Sequence, residues 1–136
     1  MASPVVVVAV VAHAPLGSAL KSVAEHVYGE HIQLTAIDVL PGACVDDSTD
    51  SLLARVISLD EGAGVMLMTD LPGASPANIC VRACQRAREQ GVACDVVAGV
   101  NASMVLRILN RRATASMAEM VQSAIEGASQ TVVHIE

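Results

Sequence analysis

The sequence predicts an α/β fold: a doubly wound, mostly parallel sheet of four parallel strands plus an antiparallel edge strand, with helices on both faces. Three observations carry this expectation. Short runs of Val, Ile, Leu and Met alternate with segments of helical periodicity along the chain, the order that builds parallel crossover units. The runs are unbroken rather than alternating apolar with polar, as strands covered on both faces should be. Connections between parallel strands are right-handed, which favours winding helices over both sides of one sheet. The 136 residues match a single domain spanning 1–136, without repeat, low-complexity stretch or linker.

The elements follow in order. Val5 to Val11 is continuous and β-branched and reads as a central strand. It is too short to span a bilayer, and no Lys or Arg precedes Lys21, so it lacks the charged start of a signal peptide. Leu16, Ala19, Leu20, Val23 and Val27 keep helical spacing, and Gly29 ends that helix. Leu34 to Leu40 is a second strand, closed by Pro41-Gly42. Asp46 or Asp47 can cap a helix bearing Leu52, Leu53, Val56 and Ile57. Val65 to Thr69 is a third strand. A helix from about Ser75 to Gln90 stops before Gly91, and Val92 to Ala98 is the fourth strand. Asn101 reads as the cap of a helix carrying Met104, Val105, Ile108 and Leu109. A last helix runs from about Thr114 to Ile125, ended by Gly127, and Thr131 to Ile135 is the edge strand.

Composition narrows the function classes. The net charge is −6 with one lysine, so the basic footprint of a nucleic-acid binder is missing. Tyr28 is the only aromatic residue, which removes stacking platforms for bases or a flavin. An acidic surface instead favours basic protein partners. Cys44, Cys80, Cys84 and Cys94 form no C-x-x-C pair and read as small core residues of a cytoplasmic protein. The methionines read as core filler, Arg82, Arg86 and Arg88 as a solvated stripe able to balance an acidic partner, and Arg111 and Arg112 as an ordinary helix end. His26, His31 and His134 read as exposed. No residue set asks for a metal or cofactor.

In an open α/β sheet, ligands bind beyond the carboxyl ends of the strands, where the strand order reverses. Three loops qualify: Ala12-His13-Ala14-Pro15, Asp70 to Pro76, and Gly99-Val100-Asn101. If strands one and three are neighbours, as in a 2-1-3-4 order, Asp70 lies beside His13. A carboxylate on one ring nitrogen fixes the tautomer and leaves the other as nucleophile. A phosphoryl group there would meet the amino termini of the helices after Pro15 and at Ser75-Pro76. Gly73 permits close backbone approach, and Ser75 adds a hydroxyl. Each residue also has a plain structural reading: Asp70 as a turn cap, Ser75-Pro76 as a helix start, Asn101 as a cap. Their convergence on one sheet end favours the functional one.

With these residues in view, the chain resembles the IIA component of the mannose-type (mannose/fructose/sorbose) bacterial sugar phosphotransferase system. The resemblance covers nearly the whole chain. It rests on the apolar strand ending in Ala12-His13-Ala14, on Leu40-Pro41-Gly42, on Thr69 to Asn78, and on Gly99-Val100-Asn101. The family pattern has Ser-His-Gly at residues 12–14, and an aromatic with two glycines where this chain carries Pro72-Gly73-Ala74. The resemblance implies that His13 takes phosphate from HPr, itself charged from phosphoenolpyruvate by enzyme I. It implies that Asp70 orients His13, that Gly73, Ala74 and Ser75 bind the phosphoryl group, and that the phosphate passes to a separate IIB component. It also implies a homodimer, with the terminal strand open to exchange between subunits. The alternatives are a regulatory module whose phosphorylation state is read by another protein, and a phosphotransfer subunit serving dihydroxyacetone kinase.

Overall fold

The computed structural model describes residues 3–136. Its elements are β1 (Val7–His13), α1 (Leu16–Tyr28), β2 (Thr35–Val39), α2 (Val45–Leu59), β3 (Val65–Met68), α3 (Ser75–Glu89), β4 (Cys94–Val97), α4 (Ala102–Arg111) and α5 (Met117–Gln130). The strands form one four-stranded sheet in the order β2-β1-β3-β4, every pair parallel. The 2-1-3-4 order anticipated from sequence is the one adopted, and it places the reversal between β1 and β3.

The period of a strand divides β1 between two cores. Val6, Val8, Val10 and Ala12 pack with Leu20 and Ala24 of α1, Met104, Val105 and Ile108 of α4, and Met120 and Ala124 of α5. Val7, Ala9 and Val11 face Leu52 and Val56 of α2 and Ile79, Cys80, Ala83 and Cys84 of α3. With both faces covered, no position of β1 before His13 needs a polar residue, which is why its sequence never alternates. Burying each of Val8 and Val10 completely stabilises the fold by about 1.5–3 kcal/mol. The core contains no aromatic side chain, and Met66, Met68, Met104 and Met120 are among its largest fillers. Tyr28 stands at the end of α1 and donates its hydroxyl to the Leu106 carbonyl of α4 at 3.1 Å.

Several local expectations need correction. Residues 131–136 form no strand, so the described sheet has no antiparallel edge strand. Their β-branched sequence favours extended backbone, but a strand requires a neighbour for its hydrogen bonds. Here Val132, Val133 and Ile135 stand 78%, 66% and 88% exposed. Gly127 does not end α5. It is buried inside the helix, where a Cβ would lie 3.0 Å from the Arg107 side chain, so its smallness lets α5 close on α4. That helix starts later than expected, at a capping box of Ser116 and Glu119. Cys44 takes the cap position of α2 without a side-chain hydrogen bond, and Asp46 and Asp47 lie in the first turn, where they complement the helix dipole. Cys44 is exposed, while Cys80, Cys84 and Cys94 are buried.

The arginine stripe on α3 is matched within the chain. Arg82 pairs with Asp46 at 3.2 Å and Arg86 with Asp50 at 2.9 Å, both across to α2, and Arg88 pairs with Asp95 at 2.7 Å. Such exposed pairs contribute about 0–1 kcal/mol each and leave no free basic surface there.

Candidate active site

His13 is the last residue of β1 and Asp70 lies two residues past the end of β3. Met68, the last residue of β3, pairs with Val10, so the chain two residues further on lies level with the last residues of β1. The Asp70 Oδ2 lies 2.8 Å from His13 Nδ1 and also accepts the His13 backbone N–H at 3.0 Å. Its Oδ1 accepts the Leu71 N–H at 2.9 Å. One carboxylate therefore fixes both the backbone and the ring of His13. The side chain of Asp70 is 10% exposed and that of His13 48%. The acceptor is sheltered and the imidazole is not. Since an ionised carboxylate only accepts, Nδ1 carries the proton and Nε2 keeps its lone pair toward solvent.

The backbone of Asp70 is braced from the far side. Gly99 donates its N–H to the Asp70 carbonyl at 2.7 Å, and Val100 donates to Thr69 at 2.9 Å. Gly99 needs φ +83 to reach it. The third loop singled out from sequence thus contributes no side chain to the histidine. It holds the residue that holds the histidine, while Asn101 caps α4 by accepting the Met104 N–H at 2.8 Å.

Burial pushes the Asp70 carboxyl up, but the hydrogen bonds from the His13 ring, the His13 amide and the Leu71 amide outweigh it and leave its pKa below the ordinary value. A depressed folded value means stability that is complete above the unfolded pKa, about 3.9, and is lost as pH falls through the folded one. Acid unfolding followed by circular dichroism should show this. Asp70→Asn is expected to lose less stability than the parent chain between about pH 5 and pH 2. An unchanged acid limb would remove Asp70 from the account.

Two helix amino termini lie at this end of the sheet, as anticipated, but they are not equivalent. That of α1 is already occupied. Asp38, near the end of β2 and paired in register with Ala12, accepts the Ser18 N–H at 3.0 Å through Oδ1 and the Ser18 hydroxyl through Oδ2. Gly17 is required there, because a Cβ would stand 2.8 Å from Asp38 Oδ1 and 3.1 Å from the Ile37 carbonyl. Helix α3 starts differently. Its cap is Ala74, which offers no side-chain oxygen, and a proline sits in its first turn. The first amides of a helix have no partner within it, so those of α3 remain open to an anion. Gly73, at φ +83 with open space around it, turns the chain into α3, and Asn78 donates to its carbonyl at 3.4 Å. Ser75 is the first residue of α3 and is exposed.

The structure brings His13 and Asp70 together, as the sequence reasoning expected, and adds Asp38, which it missed. Its signal was present: one acid inside the otherwise uncharged Thr35-Ala36-Ile37-Asp38-Val39. His26, His31 and His134 are exposed and none joins the His13 site.

These features define a class: an open α/β protein with a carboxylate-held, solvent-facing histidine at its topological switch point. The chain belongs to a known family within that class, the PTS system fructose IIA component, whose model matches residues 7–125. It is thus a phosphocarrier of the sugar phosphotransferase system (PTS). Solved structures agree on the fold. A phosphotransferase system component EIIA from Streptococcus agalactiae superposes with a TM-score of 0.83 at 21% identity, over 95% of this chain and 96% of that one. The mannose/sorbose specific IIA subunit from Enterococcus faecalis gives 0.82 at 15% identity, over 100% and 96%. The PTS IIA protein associated with the fucose utilization operon of Streptococcus pneumoniae gives 0.80 at 22%, over 99% and 96%. No curated protein matches. Among the described residues, no helix is long and apolar enough to cross a membrane.

Proposed function

We propose that the chain carries phosphate as a phosphohistidine on Nε2 of His13, received from HPr and passed to a separate IIB component. The observation that carries this is the 2.8 Å contact of Nδ1 with Asp70, which leaves Nε2 as the free ring nitrogen. In the transfer, the Nε2 lone pair forms the new N–P bond. The P–N bond to the donor imidazole breaks, and that ring keeps the electron pair. The proton stays on Nδ1, hydrogen-bonded to Asp70, whose negative charge supports the cationic character of the phosphorylated ring. Gly73, Ala74 and Ser75 bind the phosphoryl oxygens through the open start of α3. Exchange between two imidazoles is near balance, so positioning and charge stabilisation are the protein's task. The exposed Leu40 and Leu71, which follow β2 and β3 on either side of β1, offer apolar surface to the partner protein.

Incubation with phosphoenolpyruvate, enzyme I and HPr tests the reading. Phosphorus NMR should show a single acid-labile phosphoramidate on Nε2 of His13. Phosphate on Nδ1, on another histidine, or on none would overturn it.

The same proposal includes a homodimer. β4 is an edge of the sheet, and an unpaired edge is a template for another strand. The exposed residues Val132, Val133 and Ile135 supply one from a second copy, adding the antiparallel strand that a single chain lacks. A chain ending at Gln130 is expected to sediment as a monomer where the full chain is a dimer. Equal masses for the two would rule out the exchange.

A further inference from the structure

We propose that the amino-terminal end of the sheet holds a second binding site, for a small ligand bearing an oxyanion, with Arg112 as its anchor. A cavity of about 420 Å³ opens there, lined by Val5, Tyr28, Ile32, Leu109 and Arg112 among others. Val5 stands just before β1 and Ile32 just before β2, so the length of β1, about 20 Å, separates the cavity from His13.

Arg112 carries the argument. It is 9% exposed, the one buried arginine among the described residues. Its Nη1 donates to the Gln33 carbonyl at 2.6 Å, the one hydrogen bond of its side chain among the described residues. None of the ion pairs there includes it. Burial works against its charge, while Glu61 acts in the opposite sense without forming an ion pair. A guanidinium has five N–H donors in a planar fork, and the nitrogens that Gln33 leaves free are not sealed from solvent but open on the cavity that Arg112 lines. An interaction with the α4 dipole does not account for the burial, because Arg111 serves that end while exposed. What fits the remaining donors is a bidentate oxyanion, a carboxylate or phosphate. The apolar wall of Val5, Ile32 and Leu109 fits a short hydrocarbon body attached to it.

The experiment titrates the full chain with inorganic phosphate and, separately, with butyrate, following backbone amide shifts. Saturable shifts are expected at His31, Gln33 and Ala113, distinct from any at residues 71–75 that phosphate causes beside His13. They should persist in His13→Ala. In Arg112→Gln, affinity should fall about tenfold or more, the loss expected for a charge-assisted hydrogen bond. Should that variant fail to fold, Ala113→Leu decides, since it narrows the cavity while keeping Arg112 and its Gln33 contact. Tighter binding of butyrate than of phosphate assigns the head group as carboxylate, and the reverse assigns phosphate. No saturable shift with either probe, or shifts that survive both variants, overturns the site.

Discussion

His13→Ala is expected to accept no phosphate from HPr while losing little stability, only the part that its ring contributes through the hydrogen bond to Asp70. Both halves follow from geometry. The imidazole is half exposed and packs into neither core, so its removal leaves no cavity. The chemistry, however, has no substitute nucleophile, since none of the other histidines approaches Asp70. Asp70→Asn is the graded companion. The amide keeps the shape but can present its nitrogen to Nδ1, which loosens the tautomer. Groups that orient a reacting residue in this way typically contribute about 10–100-fold. Single-turnover transfer from phosphorylated HPr measures both variants. A His13→Ala chain that still takes up label, or an Asp70→Asn chain at the parent rate, would defeat the assignment.

Gly64→Ala is expected to be the most damaging single methyl group in the chain, costing about 2–5 kcal/mol from backbone strain and overpacking together. Gly64 sits at φ +99 immediately before β3. A Cβ there would stand 2.7 Å from the Ala93 carbonyl and 2.9 Å from the Met117 side chain. The Ala93 carbonyl accepts the Val65 N–H, and the Gly64 carbonyl accepts the Val7 N–H. The methyl would thus wedge apart the start of three adjacent strands. Gly73→Ala is the control: its φ is equally left-handed, but its surroundings are open. It should show only the conformational part, about 1–2 kcal/mol. Urea midpoints at unchanged slope separate the two. Equal losses in both would mean that the close approach at Gly64 contributes nothing.

Much of this molecule was legible because its signals are local. β1 lies under helices on both faces, so its burial is written as an unbroken valine run. The switch-point rule then needed only a strand order to bring Asp70 to His13. What escaped depends on neighbours distant in sequence. Asp38 acts on Ser18 twenty residues away, and the lone acid in its strand does not itself name the helix it caps. Arg82 and Arg86 could be seen as a stripe, yet their partners lie thirty-six residues upstream on another helix. Gly127 read as a stop because glycine usually is one, whereas closeness to Arg107 is a property of the packed pair. Arg112 read as a helix end, and only the cavity around it reveals that it is enclosed. The tail failed for a related reason. Its propensity is extended, but a strand is a relation between two segments.

The hydroxyl bond from Tyr28 to Leu106 has a practical meaning. As the sole aromatic side chain, Tyr28 is the chain's only intrinsic chromophore of consequence in the near ultraviolet. It lines the Arg112 cavity and spans from α1 to α4. Its emission therefore comes from one known place, far from His13. A fluorescence change on adding a small anion would come from that cavity. A change on phosphorylation would show that an event at one end of the sheet is felt at the other, with no label introduced.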